Sequence, residues 1–221
     1  MSTVAARLDD VRGRLAAAAR RAGRQEASVR LVAVSKGIGT GLIREALDAG
    51  VSDLGESRAQ ELLAKVGELT AETPRWHFIG RIQRNKVASI APVVAVWHSV
   101  DRVEVGRAIA QRAPGARVLV EVNVSADPAK GGCRPVDAPA LVESLATAGL
   151  DVGGLMTIPA LGADPRPAFT ALRELAGRLG LAELSMGMSD DFEVAVEEGA
   201  TLVRVGRAIF GPRPERPSLQ R

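Results

Sequence analysis

Lysine is scarce in this chain, so each lysine is informative. Of the 29 basic residues only four are lysines, which leaves 25 arginines, and the four are Lys36, Lys65, Lys86 and Lys130. A lysine amine bonds to a carbonyl carbon as a Schiff base, whereas a guanidinium group does not. The composition therefore indicates that any position kept as lysine is a candidate for amine chemistry.

Lys36 is the first such candidate because of its place in the sequence. It follows the apolar run Leu31–Val34 and Ser35, and a glycine-containing turn comes after it. A lysine at the end of a strand is usually the first solvated residue after a buried run. The alternative interpretation is a reactive amine placed at a binding site by that strand.

Two segments near the end of the chain have the composition of a phosphate site. SMGMS (185–189) offers Ser185 and Ser189 as hydroxyl donors and Gly187 for close backbone approach, while VGRAIFG (205–211) offers Gly206 and Arg207. Glycine, hydroxyls and a basic residue at the start of a helix suit a phosphate dianion. For Ser189 we also expect a local role as the cap of the following helix.

The elements that must position these residues follow a regular alternation. Short runs rich in β-branched residues predict strands at 29–35, 51–55, 76–80, 94–100, 117–124, 152–159, 183–187 and 201–206. Amphipathic stretches, most of them closed by glycine, predict helices at 42–49, 59–69, 83–91, 101–113, 136–148, 167–179 and 191–198. Eight β–α repeats predict a single (β/α)8 TIM barrel over residues 1–221, with an extra amphipathic helix within 1–28. A doubly wound sheet is the alternative fold.

The predicted barrel brings the candidate residues together. Catalytic and binding residues of such barrels lie at the carboxyl ends of the strands, and phosphate often binds after strands seven and eight. Lys36 would then face the phosphate segments across the barrel mouth. An amine facing a phosphate suits pyridoxal 5′-phosphate, and it equally suits a phosphosugar bound by a Schiff-base aldolase.

Composition disfavours several other classes of protein. The sequence pI is about 9.6, but the formal net charge is only +3 and the arginines are interleaved with acids, so no nucleic-acid partner is expected. Neither a secretory signal nor an apolar run of about 18 residues is present, so no membrane partner is expected. The single cysteine, Cys133, indicates a reducing, cytoplasmic location. The Pro- and Arg-rich segment 212–221 is expected to be disordered.

A set of motifs resembles a known family. In chain order they are LVAVSK, GES, WHFIGRIQRNK, HSVD, VNVS with a later KGG, GLMTIP and LSMGMSDDFEVAVEEGATLVRVGRAIFG. They resemble the pyridoxal phosphate homeostasis proteins, which are related to the N-terminal domain of alanine racemase. The resemblance runs from about residue 31 to 211, nearly the whole chain.

The resemblance implies a fold-type III barrel that holds pyridoxal phosphate as a reversible lysine aldimine and stores or delivers it without clear turnover. By motif, Lys36 matches the Schiff-base lysine and Arg204 the arginine that faces the pyridine nitrogen. The family's phosphate-binding positions are matched by Ser185, Gly187, Gly206 and Arg207. No catalytic residue and no metal are implied. The expected partners are the cofactor and, transiently, apo-enzymes that use it, and the expected state is a monomer.

The sequence departs from the family pattern at the barrel mouth. Ser57 stands where the family usually has asparagine. This difference removes an amide group from the barrel mouth, so whether residue 57 contacts the cofactor is left open. Arg207 stands where threonine is common and adds positive charge to the phosphate site. Lys86 and Lys130 are open as candidates for a second cofactor site.

The alternative function is an amino-acid racemase. In the racemases that this barrel resembles, a tyrosine from a second domain acts as the base on the opposite face, and this sequence contains no tyrosine and stops soon after strand eight. His77 or His98 could replace that base. We expect His77, inside WHFIG, to be a hydrogen-bonded interior residue instead.

Overall fold

The structure, a computed structural model, describes residues 3–125, 127 and 130–212. Eight parallel strands pair in chain order, and the last pairs with the first, so the sheet closes into a barrel. The strands are β1 (Arg30–Val34), β2 (Asp53–Glu56), β3 (Arg75–Phe78), β4 (Val94–Val100), β5 (Arg117–Glu121), β6 (Asp151–Met156), β7 (Glu183–Ser185) and β8 (Leu202–Val205). The predicted (β/α)8 barrel is confirmed.

The helices alternate with the strands and form the outer layer. They are α1 (Val4–Arg21), α2 (Thr40–Asp48), α3 (Ala59–Glu68), α4 (Val87–Ile90), α5 (Val103–Arg112), α6 (Ala138–Thr147), α7 (Arg166–Arg178), α8 (Phe192–Glu197) and α9 (Arg207–Phe210). Short 3-10 turns lie at Glu26–Ser28 and Arg84–Lys86. Among the described residues, no helix has both the length and the apolar character needed to cross a bilayer.

The helix expected within residues 1–28 is α1. Thr3 caps it by accepting a hydrogen bond from the Ala6 backbone at 3.2 Å. Its buried side chains, which include Val4, Leu8 and Val11, recur every three or four residues, the period of one helical face. That face packs against α2, α8 and α9. The helix therefore completes the outer layer next to the β8–β1 pairing.

Two apolar cores follow from the barrel geometry. The larger core lies between the strands and the helices. A small second cluster fills part of the barrel interior and consists of Val32, Val96, Leu119, Met156 and Leu202. The interior also contains buried polar side chains, among them His77, His98, Ser185 and Arg204.

Several predicted strands end two or three residues earlier than expected: those predicted to reach 80, 124, 159 and 187 end at Phe78, Glu121, Met156 and Ser185. The strand predicted over 183–187 ends at Ser185, because Gly187 has a φ of +92° and turns the chain out of the sheet. The helix predicted over 83–91 is a 3-10 turn followed by a single α-helical turn, α4, with Pro92 close behind. Most of the predicted tail, residues 213–221, lies outside the described residues.

The strand register fixes the relative height of Lys36 and Arg204 in the barrel. Val32 on β1 lies opposite Arg204 on β8. Lys36 is four residues beyond Val32, so it lies further toward the carboxyl end than Arg204. A molecule entering from the mouth therefore meets Lys36 first and Arg204 at greater depth.

Candidate functional site

A cavity of about 500 Å³ opens at the carboxyl ends of the strands. It is lined by backbone at Gly206 and by apolar side chains that include Val34, Ile79 and Ile158. Its polar lining residues are Lys36, Ser57, Ser189, Asp190, Arg204 and Arg207. Four of the six predicted site residues are in this lining. The other two, Ser185 and Gly187, lie immediately behind it.

Lys36 enters the cavity directly from the end of β1. Its side chain is half-buried and lines the cavity. The chain before it is fixed, since the Ser35 N–H donates to the Gly55 carbonyl at 3.0 Å. The chain after it turns back, and the Ile38 N–H donates to the Ser35 carbonyl at 2.9 Å. The amine is thus carried on a tight turn anchored to the sheet.

A buried ionic cluster holds that turn from below. Lys65 Nζ, on α3, donates to the Ser35 carbonyl at 2.6 Å and to Glu61 Oε1 at 2.9 Å, and it also pairs with Glu56 Oε1. The Ser35 hydroxyl donates to Glu56 Oε1 at 2.7 Å, and the Gly37 N–H donates to Glu61 Oε1. Burial raises the pKa of Glu56 even though Lys65 opposes it. Both residues that flank Lys36 are therefore held by one cluster.

Arg204 is a buried cation that lines the cavity. Its Nη1 donates to Ser185 Oγ at 2.6 Å and its Nη2 to the Thr157 carbonyl at 3.0 Å. Burial lowers its pKa to about 10, and the negative charges of Glu121 and Asp191 oppose that shift. The guanidinium therefore keeps its positive charge at neutral pH, although both of these acceptors are uncharged.

Ser185 lies behind Arg204 and has two polar partners. Its side chain is fully buried, and His98 Nδ1 lies 2.8 Å from its Oγ. His98 Nε2 in turn lies 2.8 Å from His77 Nδ1, and His77 Nε2 lies 2.8 Å from Asp53 Oδ1. The prediction that His77 is a hydrogen-bonded interior residue is confirmed, and His98 is enclosed in the same way.

Gly187 shapes the loop that follows β7. A Cβ atom there would lie 2.6 Å from the Ala195 Cβ and 3.0 Å from the Phe192 Cα, and the φ of +92° is strained for any other residue. The next N–H, that of Met188, donates to Asp191 Oδ1 at 2.6 Å. Glycine is thus required for the loop to turn tightly over the start of α8.

Ser189 joins this loop to the start of α9. Its Oγ accepts a hydrogen bond from the Ala208 N–H at 3.3 Å, in the first turn of α9, whose N-cap is Gly206. The expectation that Ser189 caps the following helix is wrong, because α8 begins at Phe192 and its N-cap is Asp191. Ser189 is instead the hydroxyl of this segment that lines the cavity.

Arg207 lies at the rim of the cavity and forms an ion pair with Asp190. Both side chains are exposed, so water screens this pair. Ser57, the residue noted above as a departure from the resembled pattern, also lines the cavity. It further contributes to a neighbouring cavity of about 290 Å³ that Lys86 lines.

The remaining candidate lysine, Lys130, binds backbone. Its Nζ donates to the Ile158 carbonyl at 3.2 Å and to the Pro159 carbonyl. These contacts connect the segment after β5 to the loop after β6. Lys130 therefore links two loops beside the mouth of the barrel.

Glu121 is a further ionisable group of the barrel interior, and it lies near the mouth. Burial and, second, the charge of Asp101 raise its pKa to about 7, whereas Arg204 and Arg81 oppose the shift. It ends β5. The carboxyl group is therefore partly protonated at neutral pH.

The supporting roles of the residues behind the site were not predicted, although His98 was named as a candidate base. Each of Glu56 and Lys65 had one available signal, since Lys65 is among the four lysines and Glu56 directly follows the strand predicted over 51–55. Asp53 and His98 had no local signal that connects them. Their association depends on which strands become neighbours after the barrel closes.

The family model for the N-terminal domain of alanine racemase matches residues 7–214 of this chain. Among curated proteins, the chain is 45% identical over 223 residues to a pyridoxal phosphate homeostasis protein of Pseudomonas aeruginosa, covering 96% of this chain and 97% of that protein. A protein of the same description from Aquifex aeolicus is 43% identical over 221 residues, covering 94% and 97%.

Solved structures of related proteins have the same fold. PipY of Synechococcus elongatus matches with a TM-score of 0.82 and 35% identity without pyridoxal phosphate, and 0.81 and 33% with it bound, covering 95% of this chain and all of that one. Alanine racemase of Corynebacterium glutamicum shares the fold alone, at 19% identity, a TM-score of 0.66 and coverage of 96% of this chain and 63% of that one. The chain belongs to the alanine racemase N-terminal domain family and, within it, to the pyridoxal phosphate homeostasis proteins.

Proposed function

We propose that this protein binds pyridoxal 5′-phosphate through Lys36 and holds it reversibly, for storage or for delivery to other enzymes. The observation that carries the proposal is the arrangement of three features around one cavity: a lysine amine, a buried guanidinium and a glycine- and serine-containing loop. Each feature matches one chemical part of the cofactor. Family membership supports the same choice over a phosphosugar.

The phosphate group fits the loops after β7 and β8. Gly187 and Gly206 bring backbone close to the cavity, and a Cβ on Gly206 would lie 3.1 Å from the Val34 carbonyl oxygen. Ser189 supplies a hydroxyl and Arg207 a positive charge, part of which is neutralised by Asp190. We assign the hydroxyl contact to Ser189, because Ser185 is enclosed between His98 and Arg204 and supports the site from behind.

Lys36 supplies the amine that would hold the cofactor covalently. When bound, pyridoxal phosphate supplies an aldehyde that bonds reversibly to amines and a ring that accepts electrons. The anchored turn at Ser35 places the amine inside the mouth, which limits the positions that it samples. The protein thus contributes orientation, and the apolar walls at Val34 and Ile79 exclude water from one side.

Arg204 is assigned to the ring nitrogen. A guanidinium has only donors, so a nitrogen that faces it must act as an acceptor and stays unprotonated. An unprotonated ring is a weaker electron sink. This arrangement favours holding the cofactor over converting amino acids with it. The same proposal covers transient contact with apo-enzymes, a monomeric state and a cytoplasmic location, to which the lone Cys133 points.

A transfer experiment tests the function. The protein is loaded with pyridoxal phosphate, freed of excess cofactor and mixed with an unloaded enzyme that requires it, in the presence of an agent that scavenges free cofactor. We expect enzyme activity to recover with the wild-type protein and not with Lys36→Ala. Failure of the wild-type protein to take up cofactor, or failure to transfer it, contradicts the proposal.

Racemisation is the competing outcome. The loaded protein is incubated with L-alanine and other L-amino acids, and the D-isomer is measured. We expect none at enzyme-like rates. Turnover of about 1 s⁻¹ or more, within the ordinary range of enzymes, would replace the carrier function by catalysis.

A further inference from the structure

A continuous line of hydrogen bonds crosses the barrel interior and ends at Arg204. It runs from Asp53 on β2 through His77 on β3, His98 on β4 and Ser185 on β7 to Arg204 on β8. The four donor–acceptor distances are 2.8, 2.8, 2.8 and 2.6 Å, and each of the five residues is at most 4% exposed. Polar contacts this deep form a single unit because each group depends on its neighbours.

The two ends of this line determine where every proton lies. Hydrogen bonds from His77 and Ser52 outweigh the effect of burial and hold the pKa of Asp53 below its usual value, so its carboxylate only accepts. His77 must therefore carry its proton on Nε2, which leaves Nδ1 bare. His98 must then donate from Nε2 to that Nδ1, which leaves its own Nδ1 bare.

The other end completes the same order. Arg204 only donates, so Ser185 Oγ accepts from it. The Ser185 proton is consequently directed to the bare Nδ1 of His98. Each of the three middle groups, His77, His98 and Ser185, then donates one hydrogen bond and accepts one along the line, with both histidines neutral.

Charges around the histidines agree with neutral rings. Burial lowers the pKa of His77, against the opposing carboxylate of Asp53, and it lowers the pKa of His98 well below the usual value. The charged groups that act on the pair come from four strands: Arg30 on β1, Asp53 on β2, Arg75 on β3 and Arg204 on β8. Three of the four are cations, which oppose a further positive charge.

We propose that His98 is a positioning residue for Arg204. Asp53 and His77 fix the tautomer of His98, and this tautomer accepts the Ser185 proton. The Ser185 oxygen is thereby turned toward the guanidinium. The proposal rests on the proposed function in one respect, namely that Arg204 faces the ring of the bound cofactor. The partner given to Arg204 is a neutral hydroxyl and not a carboxylate. The line of hydrogen bonds thus orients the guanidinium of Arg204 without neutralising its charge.

The proton order is measurable on unloaded wild-type protein. The chain contains only two histidines, so nitrogen-15 labelling of histidine gives two imidazole patterns in a long-range proton–nitrogen correlation spectrum. We expect both rings to be neutral, protonated on Nε2 and unchanged from pH 5 to pH 8. A proton on Nδ1 of either ring, or titration of either ring in that range, overturns the proposal.

Variants test the consequence for Arg204. In Ser185→Ala the histidine pair stays intact while the link to Arg204 is lost, and in His98→Leu the link is lost one step earlier. We expect both variants to bind pyridoxal phosphate about tenfold more weakly, the range for one hydrogen bond to a charged group. We also expect both to shift the pH dependence of the bound cofactor's absorbance in the same direction, with the double variant no worse than either single one.

The matched control is Ser52→Ala. Ser52 Oγ donates to Asp53 Oδ2 at 2.6 Å, so its loss touches the same carboxylate without interrupting the line. We expect the absorbance profile of this variant to equal that of the wild type. Unchanged profiles in Ser185→Ala, or additive effects in the double variant, overturn the positioning role. If wild-type protein takes up no cofactor, the proposed function fails, and the histidine spectrum of the unloaded protein still decides the proton order.

Discussion

Glu121 ionises near neutral pH because the barrel encloses it. Its pKa rises from an ordinary value near 4.5 to about 7 through burial first and the charge of Asp101 second. The folded protein therefore keeps a proton that the unfolded chain releases between these two values. A raised carboxyl pKa gives stability that is present below about pH 4.5 and is lost as the pH rises to about 7.

The first prediction compares Glu121→Gln with the wild type by urea unfolding between pH 5 and pH 8. The glutamine stays neutral, so the free energy of unfolding of the wild type, relative to the variant, should fall with rising pH by up to about 3 kcal/mol. The control is Glu143→Gln on α6, which replaces a carboxyl group that is exposed and that the barrel does not enclose. A difference for Glu121 that is constant or grows with pH contradicts the interpretation.

Among the secondary-structure elements, α3 holds the turn that carries Lys36 through two side chains: Lys65 donates to the Ser35 carbonyl and Glu61 accepts from the Gly37 N–H. Lys65 lies inside α3 and reaches the Ser35 carbonyl and the carboxylates of Glu56 and Glu61. Removing one partner of such a buried set leaves an uncompensated charge, which costs much more than the intact set contributes.

The second prediction is that Lys65→Met lowers the free energy of unfolding by about 3–5 kcal/mol, because Glu56 is then buried without its cation. Chemical denaturation measures this loss. Arg134→Ala is the control, since its ion pair with Asp137 is exposed and should matter little. Equal effects of the two substitutions would show that the cluster around Lys65 does not stabilise the fold.

The loops after β2 and β3 touch through backbone at Gly80. A Cβ on Gly80 would lie only 2.2 Å from the Ser57 carbonyl oxygen, and backbone cannot move aside as a side chain does. Ser57 lines the cavity, so this contact also sets one wall of the site.

The third prediction is that Gly80→Ala destabilises the protein by about 1–3 kcal/mol, the usual cost of overpacking. Gly67→Ala in α3 is the matched control: its added Cβ meets nothing within 4 Å, and alanine favours a helix by about 1 kcal/mol over glycine. Thermal unfolding should therefore move in opposite directions for the two variants. A loss of stability in both, or in neither, argues against the close contact.

At the scale of the whole molecule, the sequence predicted the barrel because each repeat carries its own local signal. Runs such as RVLVEV indicate strands by composition, and glycines such as Gly50, Gly149 and Gly180, with φ of +84°, +84° and +66°, mark the helix ends. Where apolar composition favours a strand but a glycine favours a turn, the observed end of the strand differs from the predicted one. The run 183–187 has strand composition throughout, but Gly187 turns the chain after Ser185.

The site residues likewise differ in whether a local sequence signal predicts them. Lys36 and the loop at Ser189 have local signals, since both combine a polar group with glycine after an apolar run. The link between His98 and Ser185 has none, because these residues are 87 positions apart and meet only inside the closed barrel. Tertiary contacts of this kind depend on register and closure, which composition does not specify.

We propose that one amine, that of Lys36, holds the cofactor, and chemical mapping of the attachment site tests this proposal. The protein is loaded with pyridoxal phosphate, treated with borohydride to make the attachment permanent, digested and mapped by mass spectrometry. Only four lysines compete, which makes the assignment unambiguous. We predict that the modification lies on Lys36 and disappears in Lys36→Ala. Modification confined to Lys65, Lys86 or Lys130, or its absence from all four, would contradict the account.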